Sequence, residues 1–187
     1  MSEEKTVIKS KRKMRPGGGK AKGNGFEGTV AKKLSAALPI NFIRSPGSGA
    51  RIGGKNFATV GALMGEEVMK LFNADVVPIN EKEAGYTFRY SIECKFYATQ
   101  DHFTSLVAHT ANVFKWFEES VVDAQKIGRK PILIFKWNHT PIFVATLSEE
   151  ARWKIPRMVI GEPCGRILDI YELDDLLNVP DFWVTKT

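Results

Sequence analysis

The chain has 187 residues, 43% of them hydrophobic with 12 Phe and 4 Trp, which suits one domain with a sizeable core and extensions. No run of 18 apolar residues exists, so no transmembrane helix is expected, and the polar, basic N-terminus lacks the apolar stretch of a secretory signal. The formal charge of +6 is confined to residues 1–22, which hold eight basic and two acidic side chains, while the remainder has 19 of each.

Residues 1–24 read as a basic tail on a neutral body, a pattern that suits an anionic polymer such as nucleic acid; the alternative is a solvated leader that aids solubility. Within it "RPGGGKAKGNG" (15–25) reads as a flexible linker, so structure is expected to begin near Gly25. From there "FEGTVAKKLSAAL" places Phe26, Val30, Leu34 and Leu38 at helical spacing, and Pro39 ends the helix. "INFIRS" (40–45) is a short strand. Residues 46–56, with four glycines, Arg51 and Lys55, form a mobile loop, and 57–72 a helix weakened by Gly61 and Gly65. A strand over 74–80, a turn at 81–85 and a second strand over 86–97 follow. The stretch 103–128 reads as one long helix with Leu106, Thr110, Val113, Phe114, Phe117, Val121 and Ala124 on one face and Gly128 as its stop. Strands over 131–138 and 141–147 are joined as a hairpin. "RMVI" and "RILDIYEL" are short strands, and "DDLLNV" a closing helix. The order predicts an α/β domain over 25–150, a mixed central β-sheet flanked by helices, with a C-terminal extension, 151–187, packed on it.

The strand "YSIECKFY" (90–97) carries the chemistry. Ile92, Cys94 and Phe96 alternate as a buried face, while Glu93 and Lys95, two residues apart, project together from the other. Alone, such a pair fits a solvated strand edge. Pairing of the two strands through the turn at 81–85, however, brings Asp75 close to Glu93. Two neighbouring carboxylates favour a hard divalent cation such as Mg²⁺, and Lys95 beside them can orient water or neutralise developing phosphorane charge. Glu27, on the first helix at the core boundary, either reaches this site or is an ordinary first-turn glutamate favoured by the helix dipole. His102, His109 and His139 lack a carboxylate partner in the pattern and read as surface or capping residues. Cys94 and Cys164 lack metal-ligand spacing and read as free thiols of a reducing cytoplasm.

The pieces "GNGFEGTVAKKL", "FIRSPGSG", "NADVVPIN", "IECKFY" and "GRKPILIFKW", taken in order, resemble the archaeal-type Holliday junction resolvases, also found in viruses, of the PD-(D/E)XK (restriction-endonuclease-like) nuclease superfamily. The first acidic motif reads Ala-Asp, without the superfamily's usual proline. The resemblance implies a restriction-endonuclease-like fold and hydrolysis of DNA phosphodiesters at four-way junctions by attack of a metal-activated water. It implies Glu27, Asp75, Glu93 and Lys95 as catalytic residues, with the three carboxylates holding Mg²⁺ and Mn²⁺ able to substitute. Arg44 and a serine, Ser45 or Ser48, would handle the scissile phosphate; Ser48, in its Gly-Ser-Gly setting, is preferred. Arg51 and Lys55 in the loop, and Lys11, Arg12, Lys13 and Arg15 in the tail, are the expected further DNA contacts. A junction has two-fold symmetry, so a homodimer is expected, with the helix at 103–128, Trp116 and Trp137 as its candidate interface. The expected setting is the cytoplasm, the host's for a viral protein, with no membrane partner. A restriction-like, mismatch or fork nuclease and a non-catalytic DNA-binding protein on the same fold are the alternatives.

Overall fold

The computed structural model describes residues 18–45, 73–148 and 153–187. Its elements in chain order are α1 (Gly18–Ala37), β1 (Phe42–Arg44), β2 (Val76–Pro78), α2 (Glu81–Ala84), β3 (Tyr86–Phe88), β4 (Tyr90–Tyr97), α3 (Phe103–Val107), α4 (Asn112–Lys126), β5 (Lys130–Trp137), β6 (Phe143–Leu147), β7 (Met158–Gly161), β8 (Ile167–Glu172), α5 (Leu173–Leu177), α6 (Pro180–Trp183) and β9 (Val184–Lys186). Among the described residues no helix is long and apolar enough to cross a membrane. The loop and helix expected over 46–72 lie outside the described residues.

One mixed sheet, of seven strands among the described residues, runs in the order β1-β2-β4-β5-β6-β8-β7. Of these neighbours β4 and β5 are the parallel pair, in register from Tyr90↔Lys130 to Tyr97↔Trp137. A parallel pair needs a crossover, and α4 supplies it. The alternation read in "YSIECKFY" sorts the two sides of β4. Ile92 and Cys94 join Val30, Leu34, Ile132 and Ile134 in the core beneath α1. Leu133 and Phe135, the register partners of Glu93 and Lys95, join Val113, Phe114 and Phe117 beneath α4. The charged pair therefore belongs to the α4 side of a sheet covered on both faces.

Several local expectations are corrected by long-range contacts. Helix α1 starts at Gly18, inside the stretch expected to be linker. Lys22 Nζ donates to Asn138 Oδ1 at 2.6 Å, and Asn24 Oδ1 accepts from Arg44 Nη2 at 2.9 Å. Such tertiary partners override the poor helix propensity of its glycines. The expected turn at 81–85 is the short helix α2, closed by Gly85 in the left-handed region at φ 71°. The expected strand 86–97 is two strands: β3 leaves the main sheet and pairs with β9, Phe88 opposite Val184. The expected helix 103–128 is broken at His109, whose φ is 56°, and the N–H groups of Thr110 and Ala111 turn back to the Ser105 carbonyl. Trp116 and Trp137, expected near the surface at a dimer interface, are 3% and 9% exposed and pack with Phe135 inside the chain's own core.

The C-terminal segment, expected as an extension packed on the domain, continues the sheet instead. β8 pairs with β6 from Phe143↔Glu172 to Leu147↔Leu168. Trp183 is fully buried against Phe88, and its indole N–H donates to the Leu176 carbonyl at 3.0 Å.

Candidate active site

Three elements meet around the middle of β4. Asp75 lies one residue before β2, where the ladder with β4 ends at Val76↔Ile92. Its N–H donates to the Ile92 carbonyl and its own carbonyl accepts from the Ser45 N–H, both at 2.8 Å. These backbone bonds aim the side chain along β4, and Asp75 Oδ2 accepts a hydrogen bond from the Cys94 N–H at 2.8 Å. On the α4 side of β4, Lys95 Nζ lies 2.8 Å from Glu93 Oε1 and 2.7 Å from Glu119 Oε2. On the α1 side, buried Glu27 accepts from Arg44 Nε at 2.6 Å, and Asn24 holds the same guanidinium.

The electrostatics tie these groups together. Burial, and after it the negative charge of Glu93, pushes the Asp75 carboxyl up to about 8; the Cys94 N–H opposes this and the Glu27 charge adds to it. Burial likewise raises Glu93, against the opposing ammonium of Lys95, with Asp123 and Glu119 adding to the rise. Burial opposes the charge on Lys95, but Glu93 and Glu119 outweigh it and raise the pKa, so the ammonium is charged at any physiological pH. The buried Cys94 thiol is raised well above its ordinary value by burial and then by the charges of Asp75, Glu93 and Glu27. It is a neutral packing group.

Of the expected site residues, the structure gathers Glu27, Arg44, Asp75, Glu93 and Lys95 around β4. Ser45 is fully buried, with its amide on the Asp75 carbonyl. Ser48, Arg51, Lys55, Lys11, Arg12, Lys13 and Arg15 lie outside the described residues. Sequence reasoning missed Glu119 and Asp123. They stand one helical turn apart on α4, and both act on Glu93. Two acids at i and i+4, flanking the apolar face of an amphipathic helix, are the signal in the sequence that marks them. His102 precedes α3 without a side-chain capping bond, and His139 occupies the turn between β5 and β6 at φ 61°.

A mixed sheet with helices on both faces, and an Asp followed on the next main-sheet strand by Glu-x-Lys, define the restriction-endonuclease-like nuclease class. The family model described as "Phage putative PDDEXK endonuclease" matches residues 18–159, and the chain belongs to that family. No curated protein and no solved structure matches it.

Nucleases of this superfamily use divalent metal ions. Among the described residues no group of three or more His, Cys, Asp or Glu is arranged to hold a metal. Asp75 and Glu93 nevertheless fit such an ion: both are half-buried, and each has a raised pKa because its charge is poorly compensated. A hard cation that keeps several waters needs only one or two protein carboxylates.

Proposed function

We propose that this protein is a Mg²⁺-dependent endonuclease that cuts DNA at four-way junctions, with Mn²⁺ able to substitute and a homodimer as the working form. The observation that carries the catalytic reading is Asp75: a half-buried carboxylate with its pKa pushed up to about 8, beside Glu93 and bonded to the Cys94 amide. Asp75 and Glu93 would hold the ion, with Glu27 adding negative charge from α1. When bound, the ion supplies Lewis-acid polarisation of the phosphate and a lower pKa for water. Lys95 stays charged and offers its ammonium to the negative charge that develops on the phosphoryl oxygens. Glu119 holds that ammonium from the helix side. Arg44, Ser48, Arg51 and Lys55 are the proposed phosphate contacts near the cut, and Lys11, Arg12, Lys13 and Arg15 the contacts of the tail. The junction preference rests on the five ordered sequence pieces and on the two-fold symmetry that a dimer would match.

The test is cleavage by the full-length protein of four-way junction, linear duplex and single-stranded DNA, with Mg²⁺ and with EDTA. Paired nicks across the junction, dependent on the ion, are expected. Equal cutting of linear duplex would move the reading to a restriction-like nuclease. No cutting of any DNA, with intact binding, would leave a DNA-binding protein on a nuclease fold.

A further inference from the structure

Among the described residues, seven cations pair with acids. Lys33 pairs with Asp174, Arg44 with Glu27, Lys95 with Glu93 and Glu119, Lys126 with Asp123, Arg129 with Glu81, Arg157 with Asp169, and Arg166 with Glu162 and Glu118. Lys22 and Lys136 differ. Among the described residues neither meets a carboxylate at ion-pair distance, and both converge on one ring. Lys22 Nζ stands 3.9 Å from the centroid of Phe96, and Lys136 Nζ 6.0 Å from the same centroid. The β4–β5 register sets Lys136 directly beside Phe96. The second face of support is Phe26, whose ring centroid is 5.5 Å from that of Phe96.

We propose that Lys22 and Lys136, gathered at the half-buried ring of Phe96, form a binding site for nucleic-acid phosphodiesters beside the scissile position. The ring lies on the α1 side of β4, one residue beyond Lys95 in the strand, and packs against Phe26, which precedes Glu27 on α1. An aromatic face attracts ammonium groups without neutralising them, so two positive charges are held close together and remain available to anions. Asn138 Oδ1, accepting from Lys22 Nζ at 2.6 Å, fixes the first of them without adding negative charge. Two ammonium groups gathered at one ring suit backbone phosphates, contacts that position DNA without reading its bases. This site rests on the nuclease reading and adds the track by which the strand enters.

The test measures how the binding constant for a four-way junction varies with NaCl in EDTA, using the full-length protein and fluorescence anisotropy. A Lys22→Gln/Lys136→Gln variant should show a slope less negative by about 1.8, at about 0.9 per phosphate neutralised on duplex arms. Lys22→Arg/Lys136→Arg should restore it. Lys136→Gln alone, which breaks no hydrogen bond to α1, should give about half the change, so the proposal stays exposed even if the double variant folds poorly. A wild-type slope in Lys136→Gln overturns the paired site while leaving the nuclease reading standing. A wild-type protein that neither binds nor cuts any DNA overturns both.

Discussion

The N–H of Cys94 donates to the Asp75 carboxylate at the point where a backbone carbonyl would be expected in a longer ladder. β2 is short, and Asp75 extends its pairing with a side chain in place of a main chain. A backbone donor favours the charged carboxylate, yet burial and Glu93 outweigh it. The site therefore holds more negative charge than its own donors stabilise, a condition that a divalent cation relieves.

Asp75→Asn and Glu93→Gln should each reduce cleavage by more than the ~10–100-fold that loss of an outer partner costs at a metal site. DNA binding in EDTA should be unchanged or tighter, because a carboxylate that repels phosphate is gone. Cleavage assays beside anisotropy check this; a variant cutting at the wild-type rate removes that residue from the ion's ligands.

Asp75 also makes metal-free stability depend on pH. Its unfolded value is about 3.9, and its folded value is raised to about 8. The folded protein thus binds the proton more tightly, so this contribution is full below about pH 4 and is lost as pH rises to about 8. Relative to Asp75→Asn, the wild-type melting temperature in EDTA should fall across that window. Mg²⁺ at the upper end should recover it in the wild type only. Parallel melting curves for the two proteins would contradict the shift.

Glu119→Gln keeps an acceptor near Lys95 but removes the charge that holds it. The expected result is a kcat lower by ~10-fold, the small end of what outer-shell partners contribute, with KM unchanged. A wild-type kcat would leave Glu119 without a positioning role.

Because α1 begins at Gly18, the leader is best tested by deleting residues 1–17, which hold six basic and two acidic side chains. Junction binding should weaken, with the melting temperature unchanged. The salt slope should flatten by up to about 0.9 for each phosphate that the leader neutralises in the intact protein. An unaltered slope would show that the leader does not touch DNA.

Trp183→Ala should destabilise the protein by ~3–5 kcal/mol, as for other large buried aromatics. It empties the space against Phe88 and leaves the Leu176 carbonyl without its indole donor. Urea unfolding measures it. A change below ~1 kcal/mol, the range of surface substitutions and mild core changes, would mean that the C-terminal residues are peripheral to the core.

Period-two alternation of Ile92, Cys94 and Phe96 was enough to place Glu93 and Lys95 side by side, because residues two apart in a strand share a face whatever surrounds them. Helical spacing from Phe26 to Leu38 likewise set Glu27 on an element with a buried side, and the order of strands and helices set the mixed sheet. Local patterns report which face of an element is apolar, but not which element covers it. Only the tertiary structure brought Glu119 to Lys95, since α4 must first cross over the sheet to join β4 and β5. Long-range pairing also drew β3 away to β9 and carried α1 back to Gly18 through Lys22 and Asn24. The break at His109 and the burial of Trp116 were decided in the same way: α4 settles where its aromatics meet Phe135, a contact with no counterpart in the residues next to it.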